Sequence, residues 1–336
     1  MSDVVTVSYS KLADLLELIF LAHNVSAGTA RSLAENCAGC ERDGTTSHGI
    51  FRIPGYVSSL DSRWVDGRAT AVIESRSGAF IRVDAANGFA QPALALARQP
   101  LLEIVRANGV GVVAIRNSHH FSALWPDVEP FAPLGLVALS VVNSFACVVP
   151  HGGRKAVFGT NPMAFASPVA GNHPFVFDQS SSAVSNGDVQ IAARDKHILP
   201  VGSGVDSRGN ATNDPNAVLN GGALRPFGGH KGANIALMIE ILAAAVTGGL
   251  FSNEVDFTTH PGAQTPRTGQ LLIVIDPQFG GANSFGRRVA ELISSVHAAG
   301  GERIAGERRF LQRARSQREG MVLKADELDA LRSLAQ

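Results

Sequence analysis

The sequence predicts an α/β fold in which a largely antiparallel central sheet lies between helical N-terminal and C-terminal parts. Three observations carry this. Apolar residues recur at helical spacing near both ends of the chain. Short apolar runs bounded by Asn, Ser, Pro and Gly crowd its middle, which is the pattern of buried strands. Few helical stretches separate those middle runs, so successive strands can turn back on one another without a long crossover.

The elements follow in order. Leu12, Leu15, Leu16, Ile19 and Phe20 mark a first helix, and a second runs over about 28–42, where Gly44 can stop it. AVIES and AFIRVD read as strands, and AQPALALARQPLLEIVRANG as a helix. Between 109 and 178, VGVVAIRNS, LVALSVVNS, MAFASP and FVFDQS read as strands. A helix follows at about 186–194. Residues 198–229 are rich in Gly, Asn, Asp and Pro and show no period, so they read as a long lid or binding loop. KGANIALMIEILAAAVTGG is a strong helix and QLLIVID a strand. The tail is helical through FGRRVAELISSVHAAGG and KADELDALRSLAQ. A chain of 336 residues exceeds one compact core. The expected division is an N-terminal part, 1–115, joined by the C-terminal 285–336, and a second domain, 116–284, that carries the loop 198–229.

Composition excludes several classes. Hydrophobic residues make up 45% and charged residues 17%, as in a globular protein. Lys+Arg and Asp+Glu both total 29, so no net basic surface exists for nucleic acid or an anionic membrane. The start lacks a basic segment followed by a long apolar run. The most apolar stretches, 135–150 and 235–250, are interrupted by Asn143, Ser144 and Glu240, so no bilayer span is expected. Three cysteines, Cys37, Cys40 and Cys147, are too few for a disulfide scaffold, and a cytoplasmic location is expected.

Two motifs are decoys. Gly109-Val110-Gly111-Val112-Val113-Ala114 matches G-x-G-x-x-A, but a helix precedes it and a strand follows, the reverse of a dinucleotide fingerprint. Cys37-Ala38-Gly39-Cys40 has no second ligand pair at zinc spacing and lies within a helix, so it reads as two small buried residues. No metal site is expected.

Other stretches hold chemistry. In RDGTTSHGIFRIPGY, residues 42–56, a helix over 47–60 would set His48 and Arg52 on one face, with Ser47 near its start. By composition alone this is a capping serine with a solvated His and Arg. The functional reading gives Arg52 a carboxylate to grip and His48 a proton to exchange. His119 and His120 are adjacent at a strand end, so their side chains point opposite ways and a shared ligand is disfavoured. VVPHGGRKAVFGTNP is either a plain turn or a close backbone approach at Thr160-Asn161-Pro162. Gly229, His230 and Lys231 open a strong helix, where free N–H groups suit an anion. Arg303, Arg308 and Arg309 form a second basic cluster, for phosphate or for solvent. Asp188 is a carboxylate at a helix start, which compensates the dipole or, facing His48, would orient its ring.

These stretches together resemble one family. DGTTSHGIFRIPGY, NSHHFSALWPDVEPFAPLGLVALSVVNS, VVPHGG with FGTNP, FVFD, GGHKGANIALMIEILAAAVTGG and GERIAGERR are similar to the type 2 malate/L-lactate dehydrogenase family, and they span nearly the whole chain in order. RDGTTSHGIFRIPGYVSSL, SHHFSALWPDVEPFA, GDVQIAAR and HPGAQTP with TGQLLIVIDP resemble its branch that reduces Δ1-piperideine-2-carboxylate and Δ1-pyrroline-2-carboxylate. The chain departs from that branch's DxATS-like pattern at Asp178-Gln179-Ser180-Ser181-Ser182, at the expected cofactor edge.

The resemblance implies a non-Rossmann NADPH-binding fold, with the cofactor in domain 116–284 and substrate in the N-terminal part. It makes His48 the proton donor, with Ser47 and Asp188 as relay partners, and Asp188 is expected to raise the pKa of His48. Arg52 and Thr160 would hold the substrate. His120, Phe121, Ser122, Ala123, Leu124, Asp178, Gln179, Ser180, Gly229, His230 and the segment 302–308, with Arg303 and Arg308, would line the NADPH site. Arginines there suit a 2′-phosphate and favour NADPH over NADH. The implied activity is reduction of a small cyclic imino acid by a homodimer. A 2-oxo-acid reductase or 2-hydroxy-acid dehydrogenase of malate, lactate or ureidoglycolate type would use the same Arg52 clamp and stays open.

Overall fold

The computed structural model describes residues 3–281 and 283–336. Strand β1 (Val4–Val7) leads into α1 (Tyr9–Ala22) and α2 (Ala27–Arg42). Two short 3-10 turns, Thr46–His48 and Ile50–Arg52, lead into α3 (Ile53–Asp61). Next come β2 (Val72–Ser77), β3 (Phe80–Phe89), α4 (Ala90–Asn108), β4 (Val110–His119) and α5 (Trp125–Val128). After β5 (Val137–Val142), β6 (Met163–Ser167) and β7 (Phe175–Gln179) stands α6 (Asn186–Arg194).

The stretch 198–229 is not one unstructured loop. It holds β8 (Gly204–Val205), β9 (Ala211–Thr212), α7 (Pro215–Leu219) and β10 (Ala223–Leu224), and its strands form a sheet of their own. Two-residue strands are too short to show a period, which is why the sequence reads as loop. Then α8 (His230–Glu240) runs into a π-helical segment, Ile241–Ala245, and β11 (Arg267–Ile275) follows. The chain closes with α9 (Phe285–Ala298), α10 (Glu307–Glu319), β12 (Met321–Lys324) and α11 (Ala325–Leu334).

Seven strands form the central sheet in the order β2-β3-β4-β11-β5-β6-β7. The sheet is mixed: β3 and β4 are parallel, and the other neighbouring pairs are antiparallel. The parallel pair follows from α4, which carries the chain back to the end where β3 began. Gly109 sits just past α4 with φ +75, so it ends a helix before β4 starts.

Each face of the sheet has its own cover. Leu101 and Val105 of α4 pack with Ile81, Val83, Val113 and Ile115 on one face. Ile239 and Ala243 pack with Ala114, Val141 and Leu271 on the other. A second core joins Leu12, Leu16, Ile19 and Phe20 of α1 to Leu33 of α2 and to Leu328 and Leu331 of α11. β1 pairs antiparallel with β12, Val4 opposite Lys324, so the two ends of the chain close on each other. Cys37 and Cys40 are both buried within α2, as two small residues one turn apart.

Candidate functional site

The stretch 47–60 is not one helix. Gly49, at φ −89 and ψ −133, breaks it into two turns before α3 begins. His48 and Arg52 therefore come together through two turns and not along one helical face. Ser47 Oγ lies 3.2 Å from His48 Nδ1. Arg52 is 8% exposed, and its Nε donates to the Ser47 carbonyl at 2.9 Å. Its guanidinium carbon stands 4.4 Å from the centre of the Phe121 ring. No carboxylate of a described residue comes within the 4.0 Å of a salt bridge to it. Burial pushes its pKa down.

Helix α6 closes on these turns from above. Ser185 Oγ accepts from the Asp188 N–H at 3.0 Å and caps the helix. Gly187 makes the approach possible, because a Cβ there would stand 3.0 Å from Arg52 Nη2 and 3.3 Å from Ser47 Cβ. No spacing rule points to this glycine, since its contact lies far away in the sequence.

Between α6, the turn Thr46–His48, the approach to β6 at Thr160 and Pro162, and the end of β7 lies a cavity of about 840 Å³. Ser47, His48, Thr160 and Asp188 line it together. So do Ser122, Ala123, Leu124, Asp178, Gln179, Ser180, Arg303 and Arg308. The sequence-predicted residues thus converge from six segments. Arg52 and Phe121 are not in the wall itself, and Arg52 packs behind Ser47.

The cofactor candidates divide. Asp178 Oδ2 accepts from the Leu124 and Trp125 N–H groups at 2.7 and 2.9 Å, which ties the end of β7 to the start of α5. His120 does not line the cavity. Its Nε2 is 2.8 Å from Asp127 Oδ2, and both side chains are buried. His119 points elsewhere, with Nδ1 2.9 Å from Thr265 Oγ1, and burial pushes it down to about 3. Gly229 borders a neighbouring cavity of about 580 Å³ with His151, Arg154 and Arg225, and the His230 ring lies 6.0 Å from that of His151. The two cavities share Ala183 and Phe227.

The basic cluster also divides. Arg303 and Arg308 line the large cavity with no carboxylate within 4.0 Å among the described residues. Arg309, expected with them, is held by Glu129 and Asp43 and stacks 3.9 Å from the Trp125 ring. Arg313 joins the same network, with Nη1 2.6 Å from Glu129 Oε1. Asp43 and Glu129 carried no signal in the sequence, because the α10 arginines they hold lie over 170 positions away.

The electrostatics correct one expectation. Asp188 does not raise the pKa of His48. Burial, Arg52 and His120, in that order, push it well below its ordinary 6.5. The negative charge of Asp188 is felt at Arg52 instead. The α6 carboxylate is exposed, whereas Arg52 and His120 both act against a charge on the imidazole.

A nicotinamide dinucleotide fits what the wall offers. Arg303 and Arg308 are cations with no carboxylate partner among the described residues, which leaves them open to phosphates. Trp125 Nε1, in the same wall, is buried with no acceptor among the described residues.

Known proteins agree with this picture. Residues 7–332 match the family model of malate/L-lactate dehydrogenase. The Δ1-pyrroline-2-carboxylate/Δ1-piperideine-2-carboxylate reductase of Pseudomonas syringae pv. tomato is 59% identical over 98% of this chain and 96% of its own length. The reductase of the same name from Pseudomonas putida is 56% identical over 99% of this chain and 98% of its own. The crystal structure of Δ1-piperideine-2-carboxylate reductase from Pseudomonas syringae pv. tomato superposes with a TM-score of 0.96, covering 98% of this chain and 99% of that one. The chain belongs to the malate/L-lactate dehydrogenase family, whose members carry out nicotinamide-dependent oxidation and reduction.

Proposed function

We propose that this chain reduces small cyclic imino acids, Δ1-piperideine-2-carboxylate to L-pipecolate and Δ1-pyrroline-2-carboxylate to L-proline, with NADPH as reductant. The bound nicotinamide supplies the hydride that adds to C2 of the ring. One observation carries the site reading: Arg52 is a buried cation with no carboxylate partner among the described residues. Such a charge is costly unless a ligand compensates it, and a carboxylate matches a guanidinium in two parallel hydrogen bonds.

The remaining roles follow from placement. Arg52 holds the ring carboxylate and fixes which face of the ring is presented. Thr160, in the cavity wall, adds a hydroxyl on the substrate side. His48 delivers the proton to the ring nitrogen as C2 gains hydride. Without substrate, Arg52 and His120 both disfavour imidazolium. A carboxylate on Arg52 cancels one of those charges, so substrate itself helps to charge the acid. Ser47 orients the ring through the 3.2 Å contact at Nδ1, and the exposed Asp188 completes a relay to solvent.

NADPH would be held by the segments His120 to Leu124 and Asp178 to Ser180, by Gly229 and His230, and by Arg303 and Arg308. The two unpartnered arginines support NADPH over NADH. The reading places the cofactor outside any Rossmann unit, in keeping with Gly109 ending a helix. The three unpaired thiols suit a reducing cytoplasm. A homodimer is part of the same reading, and the exposed Leu237, Met238 and Ile241 on α8 and the segment after it support a covered surface.

The imine is favoured over a 2-oxo acid by the names and identities of the two Pseudomonas reductases. Rates with both imines and with pyruvate and oxaloacetate, each with NADPH and NADH, test the choice. The expected result is NADPH oxidation with an imine at more than tenfold the rate with either oxo acid. Turnover of an oxo acid with none of either imine would overturn it.

A further inference from the structure

Helix α2 ends directly beneath the two turns that carry His48 and Arg52. Glu41, in its last turn, is turned inward. Its Oε2 accepts the N–H of Ile50, the first residue of the Arg52 turn, at 3.0 Å. Gly49 joins the two turns, and a Cβ there would stand 1.9 Å from Glu41 Oε2 and 3.0 Å from its carboxyl carbon. Gly49 stands at φ −89 and ψ −133. A side chain at 49 would have to displace the Glu41 carboxylate.

We propose that Glu41 is a positioning residue for the reaction: by accepting the Ile50 N–H, it fixes the angle between the turn that carries His48 and the turn that carries Arg52. No other side chain of a described residue binds that N–H. The turns are otherwise tied by their own backbone, His48 N–H to the Thr45 carbonyl at 2.9 Å and Arg52 N–H to the Gly49 carbonyl at 3.0 Å. Those bonds shape each turn but leave the joint at Gly49 free to swing. The Arg52 to Ser47 bond crosses the joint through a side chain that the substrate must also engage. Glu41 closes the joint from outside the substrate's reach.

The carboxylate is packed in. Burial and the charge of Glu327 on α11 push it up to about 7. Glu327 is itself shared with Arg194 of α6 at 3.6 Å and Lys324 at 3.9 Å. The bond to Ile50 needs an acceptor oxygen at the right reach and no charge, so a neutral amide of the same length can make it. An error of about 1 Å in such a setting can cost on the order of a hundredfold in rate.

The inference rests on the proposed imine reduction, and the test separates the two. Glu41→Gln keeps the length and an acceptor oxygen, whereas Glu41→Asp keeps the charge and draws the oxygens back. Steady-state rates on Δ1-pyrroline-2-carboxylate with NADPH are expected to stay within threefold of the parent for E41Q. For E41D, kcat should fall and the imine KM should rise so that kcat/KM drops at least tenfold, with the NADPH KM unchanged. Gly49→Ala should resemble E41D. A parent-like E41D, or an E41Q as impaired as E41D, would overturn the positioning role whatever the change in melting temperature. A parent enzyme that turns over no imine would defeat the proposed function and this inference together.

Discussion

Arg52 helps to set the charge of His48. Both are packed into the same pair of turns, and after burial the Arg52 charge is what most disfavours a proton on His48. Substrate binding should therefore bring in a proton at neutral pH, because a carboxylate on Arg52 lifts a pKa that is otherwise held well below 6.5. Calorimetric titration with a flat, non-reducible ring carboxylate, in buffers of different ionisation enthalpy, reads that proton directly. About one proton or a clear fraction of one should be taken up at pH 7. An Arg52→Met variant should lose both the binding and the uptake. Proton release, or binding with no proton change, would contradict the coupling. The resemblance pointed to Ser47, His48 and Arg52, but its expectation that Asp188 raises the His48 pKa had the wrong sign. That sign depends on burial and on His120, which only the fold brings near.

At the scale of elements, α10 is the longest helix the sequence did not disclose. It appeared as a run of arginines, and its apolar content is little more than Phe310 and Leu311. It is held by charge instead. Asp43, buried at the end of α2, binds Arg42 at 2.6 Å and Arg313 at 2.9 Å, and Glu129 takes Arg309 and Arg313. Breaking a buried pair leaves an uncompensated charge and costs about 3–5 kcal/mol. Asp43→Asn should lower the unfolding free energy by about 3 kcal/mol in urea. It should also raise the NADPH KM, since Arg303 and Arg308 lie at and just before the start of the loosened helix. A loss below about 1 kcal/mol would place Asp43 among weak surface pairs. The helices α1, α2, α4 and α6 were legible because each buries a periodic apolar stripe or carries a clear cap. The β1–β12 pairing was not, because strands of four residues at opposite ends of the chain leave no local sign of each other.

Across the whole molecule, the buried titrating groups pull stability in opposite directions with pH. His119, pushed down to about 3 from an ordinary 6.5, is uncharged in the fold. Its contribution is complete above pH 6.5 and is lost as pH falls toward 3. His48 acts in the same sense. Glu41, raised from 4.5 to about 7, contributes fully below pH 4.5, and that contribution is lost as pH rises through 7. Each group changes stability by at most about 1.4 kcal/mol per pH unit within its window. Below pH 6.5 two histidines oppose Glu41, and Asp178, whose carboxyl burial also raises, joins Glu41 toward the acid end, so the melting temperature should fall on acidification from pH 6.5. His119→Gln should flatten that fall. A melting temperature that holds or rises from pH 6.5 to pH 5 would contradict the balance.

The central claim is that one hydride passes to C2 of a cyclic imino acid while Arg52 holds its carboxylate. Its most direct test is to run the reaction with NADPH deuterated at both C4 positions and Δ1-pyrroline-2-carboxylate, and to read the product by proton NMR. The predicted product is L-proline with one deuterium at C2, formed by the parent chain and lost with Arg52→Met. Unlabelled product, or no product while an oxo acid is reduced under the same conditions, would contradict it.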